Sequence, residues 1–218
     1  ALADGRDANG LGRGVGQRHD PQVLDAVTLV VETVRHPRRP RLERPILDGC
    51  RDPGIVATLK AFSPRGTKVL LTTPTYNGFY SDLTATQTLP EEVLLKRNAD
   101  HSFAFDFDTF ERQISVDTNT FILCNPRNPT GNCWSQADLL RIGEICLKHR
   151  VVVLADEIHC DFVSRGQKYT PFASLPNKAV VDNSVTFKAA SKSFGLAAHK
   201  IGWLFSTNND YLQRIKTQ

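Results

Sequence analysis

Residues 151–162 read VVVLADEIHCDF, an unbroken apolar run that ends in Asp156, Glu157, Ile158 and His159. A short apolar run rich in valine and stopped by polar residues is the signature of a strand buried on both faces of a sheet. In an open parallel sheet, groups just past such a strand face the crevice where ligands bind. Acidic side chains there serve two chemistries. They can hold magnesium beside a nucleoside triphosphate, or one carboxylate can grip the protonated ring nitrogen of a bound cofactor.

The text around this strand fits the same architecture. From Pro53 onward GIVATLKAF reads as helix, TKVLLTT as strand, YNGFYSDLTAT as helix, EEVLLKR as strand and DTFERQIS as helix. NTFILCN is a strand, SQADLLRIGEICLKHR a helix, and VVVLA, SVTFKA and IGWLFST are strands. Short apolar strands alternating with amphipathic helices predict an α/β fold, a mostly parallel sheet with helices on both faces. One helix start is sharply marked. Ser135 and Asp138 stand at N-cap and N3 spacing, and Trp134 and Leu139 stand where a hydrophobic staple forms.

The first 52 residues differ. ALADGRDANGLGRGVGQRHD is rich in Gly, Arg and Asp and lacks apolar periodicity, so residues 1–52 are expected to be irregular or disordered. Within them Pro21–Val34 reads as a helix, and the four prolines between Pro37 and Pro53 interrupt regular structure. The glycine-rich GLGRGVG follows no strand and does not fit a phosphate-binding GxGxxG. The abrupt onset of ordered motifs at Pro53 raises a further expectation, that the preceding text is partly a misread frame. No methionine occurs, even at position 1, which suggests a piece of a longer chain.

Composition narrows the function classes. The chain has 218 residues, 40% hydrophobic and 23% charged, as a soluble globular protein does. No apolar run approaches the roughly 18 residues of a membrane span, and no membrane partner is expected. The net charge of +4 is matched by the five Arg and one Glu of Arg35–Arg44 alone. A basic nucleic-acid-binding surface is therefore not expected elsewhere. Five scattered cysteines form no CxxC pair, which points to a reducing, cytoplasmic setting without disulfides or structural zinc.

Polar residues collect at four predicted strand ends. TKVLLTT leads to Tyr76, FILCN to the loop NPRNPTG, VVVLA to Asp156 and His159, and SVTFKAA to Ser191 and Lys192. The nucleoside-triphosphate chemistry requires a glycine-rich loop closing in Gly-Lys-Ser/Thr, and Gly-Lys occurs nowhere. A metal site from Asp156, His159 and Asp161 is a weaker alternative, because its spacing matches no dedicated cage. No metal is expected.

TPTYNGFY, NPRNPTG, ADEIHCDF and ASKSFGLAAHKIGW occur in the order of the fold-type I pyridoxal-phosphate enzymes, the aspartate aminotransferase superfamily, which the chain resembles from Pro53 to its end. The wording DEIHCDF, with histidine where many aminotransferases have tyrosine, most resembles the cystathionine β-lyase-like (C–S lyase) branch. The resemblance implies pyridoxal 5'-phosphate as cofactor and Lys192 as the catalytic lysine, which carries the cofactor aldehyde and later removes the substrate's α-proton. It implies Asp156 on the ring nitrogen, Asn128 on the phenolic oxygen, Tyr76 stacked on the ring and His159 near the phenolic oxygen. Ser191 and Lys200 complete the implied cofactor-binding set. The neighbouring Lys188 reads as a solvated surface lysine.

The chain departs from the family at the phosphate. Ala189 stands where a serine is usual, Lys200 where an arginine is usual, and DGCRDPG replaces the glycine loop before the first helix. Residues 53–218 are expected to be the cofactor-binding large domain, with the small C-terminal domain absent and the full-length protein a homodimer. The activity implied is β-elimination from a sulfur-containing amino acid, releasing a thiol, pyruvate and ammonia. An aminotransferase, or an inactive fragment or non-catalytic binding domain, stands as the alternative.

Overall fold

The structure, a computed structural model, describes residues 27–32, 53–197 and 201–218. In chain order the elements are β1 (Val27–Glu32), α1 (Pro53–Phe62), β2 (Lys68–Thr73), α2 (Gly78–Thr86), β3 (Leu89–Leu94), β4 (Lys96–Arg97) and β5 (Phe103–Ala104). They continue as α3 (Phe107–Gln113), β6 (Thr118–Cys124), α4 (Gln136–Lys148), β7 (Val152–Asp156), a 3-10 turn at Phe172–Ser174, α5 (Lys178–Asp182), β8 (Ser184–Ala189), α6 (Ala190–Ser193), β9 (Ile201–Ser206) and α7 (Asn209–Lys216).

Seven strands form one sheet in the order β1-β9-β8-β7-β6-β2-β3. The pairings from β3 through β8 are parallel, and β9 and β1 close one side as antiparallel strands. β4 and β5 make a small separate hairpin. The expected mostly parallel α/β sheet is present, with one subdivision: the run EEVLLKR splits at buried Leu95 between sheet strand β3 and hairpin strand β4.

Alternation along the central strands sends side chains to two cores. Phe121 and Leu123 of β6 and Val153 and Ala155 of β7 join Phe110, Leu139, Ile142, Phe172 and Val180 on one face. Ile122 and Cys124, with Val152 and Leu154, join Ile55, Leu59, Phe79, Leu83, Phe187 and Leu212 on the other. Each fully buried Phe or Leu contributes about 1.5–3 kcal/mol from area removed from water, so both layers are strongly held. The α4 start follows its sequence signature. Asp138 N–H donates to Ser135 Oγ at 3.1 Å, Ser135 Oγ donates to Asp138 Oδ2 at 2.6 Å, and Trp134 and Leu139 are both buried.

The helix expected over Pro21–Val34 is corrected: Val27–Glu32, inside the stretch expected to be irregular, forms β1 and pairs with β9 along its full length. Its sequence VTLVVE has four β-branched residues in six, which favour the pleated surface over the helix once a strand edge is available.

Candidate active site

The sheet order reverses at β2, which has β3 on one side and β6 on the other. Such a switch point opens a crevice beyond the carboxyl ends of the strands. β2, β6, β7 and β8 all present their carboxyl ends there, and each delivers part of the set picked out from the sequence.

Past β2, half-buried Tyr76 packs on the α1/α2 face with its ring edge-on to Phe79, centroids 5.5 Å apart. Past β6, residues 125–131 turn sharply. Asn128 N–H donates to Cys124 Sγ at 3.3 Å and the Cys124 thiol donates to Pro126 O at 3.3 Å, so the thiol fixes the turn that carries Asn128. Asn125 holds the same loop to its surroundings, donating to Thr170 O at 3.1 Å and accepting from Trp134 N–H at 3.1 Å.

Arg127, unremarked in the sequence, is 2% exposed. Its guanidinium donates to Thr72 Oγ1 at 2.7 Å and also to Thr72 O and Pro74 O, tying the β6 loop to the end of β2. Burial pulls its pKa down to about 10, which leaves it charged at neutral pH. The planar fork reaches several oxygens at once, which a lysine in the same place could not.

At the tip of β7, Asp156 is 4% exposed and stands in register with Cys124. Ile158 N–H donates to Asp156 Oδ1 at 3.3 Å. By the pleat, Asp156 continues the series Val152, Leu154 and so lies on the Tyr76 side of the sheet, while Glu157 continues the opposite series. Half-buried His159 sits in the following turn, closed by Cys160 N–H to Glu157 O at 3.1 Å and Phe162 N–H to His159 O at 2.9 Å. Burial, and then the charge of Lys192, hold the His159 imidazole below its usual pKa. The structure thus brings His159 and Lys192 into electrostatic reach.

Past β8, α6 carries half-buried Ser191 and exposed Lys192, and Ser193 Oγ donates to Asp161 Oδ2 across to the His159 turn. Lys200 lies outside the described residues. Among the described residues no group of three or more His, Cys, Asp and Glu could hold a metal ion, so Asp156, His159 and Asp161 do not form such a cluster. No helix among them is long and apolar enough to cross a membrane.

Lys188 is a correction. Expected at the surface, its side chain is 17% exposed and its Nζ lies 3.0 Å from Oε2 of fully buried Glu157. It also donates to Tyr169 OH at 2.7 Å. The signal was available: Lys188 lies on the fifth residue of a central strand, where the pleat points alternate residues into a core.

Residues 41–218 match the model of the family described as aminotransferase class I and II. Cystathionine beta-lyase PatB of Bacillus subtilis is 43% identical over 152 residues, covering 66% of this chain and 38% of PatB. A probable kynurenine–oxoglutarate transaminase of Saccharomyces cerevisiae, BNA3, is 30% identical over 123 residues, covering 56% of this chain and 27% of its own length. The crystal structure of cystalysin from Treponema denticola, which contains a pyridoxal 5'-phosphate cofactor, superposes with a TM-score of 0.72 at 26% identity, over 76% of this chain and 42% of cystalysin. The chain spans well under half the length of each of these relatives. With the family match running over most of its length, the chain belongs to the aminotransferase class I and II family.

Proposed function

We propose that this chain is the cofactor-binding part of a pyridoxal 5'-phosphate enzyme that cleaves the Cβ–S bond of a sulfur-containing amino acid. The observation that carries the reading is the convergence of Tyr76, Asn128, Asp156 and Lys192 on the carboxyl ends of four adjacent strands. The 43% identity to a cystathionine beta-lyase supports the choice of reaction.

The residues present fit such a cofactor. A protonated ring nitrogen needs a carboxylate removed from solvent, and Asp156 is 4% exposed with half-buried Tyr76 on the same side of the sheet. Asn128, held by the Cys124 thiol, offers an amide donor for a phenolic oxygen. Lys200 is the group assigned to the phosphate, and Ser191 belongs to the same cofactor-binding set. When bound, the cofactor withdraws electron density from the substrate's Cα and so acidifies the proton there. The Asp156 carboxylate keeps the ring nitrogen protonated, and that charge-assisted contact is strongest where water is excluded. The Lys192 amine holds the cofactor and then takes the proton from the substrate's Cα. His159, biased toward its neutral form, accompanies Lys192 without adding a second positive charge.

An aminotransferase uses the same groups up to loss of the α-proton and differs in where that proton returns. The relative at 30% identity named as a transaminase favours that second reading. We assign the full-length protein to the cytoplasm as a homodimer; the four described cysteines are all free thiols, as a reducing compartment keeps them.

The test is to supply pyridoxal phosphate, reduce with borohydride and locate the cofactor by mass spectrometry. Label on Lys192, lost in Lys192→Ala, is the expected result; label absent from Lys192 rejects the site. Pyruvate released from cystathionine without any oxo-acid acceptor identifies the lyase, and strict dependence on an acceptor identifies the aminotransferase.

A further inference from the structure

The face of the sheet opposite Asp156 carries a closed polar network with no part in the chemistry above. Glu157 is fully buried just past β7. Its Oε1 accepts from Phe172 N–H at 2.7 Å, and its Oε2 accepts from Tyr169 OH and lies 3.0 Å from Lys188 Nζ. Lys188 Nζ donates to Tyr169 OH at 2.7 Å and sits 4.9 Å over the Tyr169 ring. Three backbone segments meet in this one cluster: the end of β7, the stretch around Tyr169–Phe172 and the end of β8.

These segments bound two pieces of chain that meet at the candidate site. Residues 158–168 leave Glu157, carry His159 and Asp161, and return at Tyr169. α6 leaves β8 two residues after Lys188 and carries Lys192. The Glu157–Tyr169–Lys188 cluster therefore clamps the roots of both, while the Ser193–Asp161 hydrogen bond joins them further out. A pair as deeply buried as this is not explained by stability, because desolvating two charges costs about as much as their attraction returns. What such a pair does provide is a fixed geometry, set by several directional bonds at once.

We propose that Glu157, Tyr169 and Lys188 act as positioning residues that hold the His159 turn and the Lys192 helix at a fixed separation. Lys188 does this through Glu157 and Tyr169 and touches neither cofactor nor substrate. Its ammonium also neutralises the Glu157 carboxylate, so that Asp156, the adjacent residue on the other face, does not share the strand tip with a second uncompensated charge. Burial acts to lower the Lys188 pKa, and the Glu157 carboxylate and Cys160 more than offset it, so the Lys188 amine stays an ammonium at neutral pH. The inference rests on the functional reading only for the importance it gives Lys192.

The experiment needs no cofactor. His159 is titrated by NMR in the cofactor-free 218-residue chain with labelled histidine, its signal assigned by loss in His159→Gln. Burial in its turn and the Lys192 charge both hold its midpoint down, so the midpoint responds when the turn and the helix move apart. In Lys188→Met the midpoint is expected to rise toward the ordinary 6.5 as the two segments part. Lys188→Arg, which restores a cation, is expected to bring it back toward the parent value. Tyr169→Phe keeps the ion pair but removes the bridge, and is expected to give a smaller rise in the same direction. A folded Lys188→Met with an unchanged His159 midpoint overturns the proposal. If Lys188→Met does not fold, an unchanged midpoint in Tyr169→Phe overturns it instead. Borohydride labelling of the parent chain is run alongside. Failure of that labelling rejects the cofactor reading and leaves the His159 result to decide the positioning role by itself.

Discussion

Cys124 and Asp156 face each other as register partners at the tips of β6 and β7, a thiol beside a carboxylate with both buried. Burial first, and the Asp156 charge second, push the Cys124 thiol up to about 12. It stays a neutral donor and acceptor that organises the Asn128 turn, and it adds no charge next to Asp156. Cys146 is pushed up in the same direction by burial alone. Cys133 and Cys160 are only half-buried. Thiolate is the reactive form, so an aromatic disulfide reagent at pH 8 is expected to modify Cys133 and Cys160 in the native chain and to reach Cys124 and Cys146 only in denaturant. Peptide mapping of the labelled native protein checks this. Early label on Cys124 contradicts the burial described for it.

Arg127 joins the two strand ends that flank the switch point. In Arg127→Met a side chain of similar length remains, but Thr72 O, Pro74 O and Thr72 Oγ1 lose their donor. Each buried group left unsatisfied costs about 1–3 kcal/mol, so the urea midpoint is expected to fall clearly. Arg127→Lys keeps the charge without the fork and is expected to recover only part of the loss. The guanidinium also lies 5.9 Å from the Trp134 ring, so native Trp134 fluorescence is expected to change in Arg127→Met. A midpoint and spectrum equal to the parent's would remove Arg127 from its bridging role.

Much of this arrangement was legible because strand tips are marked twice, by an apolar run and by the polar residue that stops it. VVVLA before Asp156 and FILCN before the Asn128 loop carry both marks, and each strand ends within one residue of the expectation. The Ser135 cap was readable because its bonding is local, spanning three residues. What was hidden depends on distant partners. Arg127 looks like any loop arginine until Thr72, 55 residues earlier in the chain, is brought beside it. Lys188 looks solvated until the pleat turns it toward Glu157. β1 is hidden for the same reason: VTLVVE suits helix or strand by periodicity, and only the free edge of β9 decides.

Gly143, in the middle of α4, separates two effects of opposite sign. Replacing glycine by alanine inside a helix gains about 0.8–1 kcal/mol of helix propensity. Here a methyl group would overlap Val180 Cγ1 and stand 3.1 Å from Phe172 Cζ, both on fully buried side chains. Val180 has no free end to swing away, and overpacking of this kind costs about 1–3 kcal/mol. The clash is expected to win, so Gly143→Ala should be less stable than the parent in urea. A higher midpoint would mean that α5 shifts freely on α4.

His159 sets a pH dependence whose sign follows from the direction of its shift. Its native pKa lies below the ordinary 6.5, with burial the larger cause and the Lys192 charge the smaller. Between the native and ordinary values the unfolded chain binds a proton that the native chain does not. Unfolding is therefore favoured as the pH drops through that window. The contribution is fully present above about pH 6.5 and is lost as the pH falls through the native pKa. His159→Gln removes this titration and leaves every carboxylate in place. Urea midpoints measured at pH 8 and pH 5.5 are expected to fall less on acidification in His159→Gln than in the parent. Equal losses in the two proteins would mean that His159 titrates alike in both states, which neither a half-buried imidazole nor one beside the Lys192 ammonium should do.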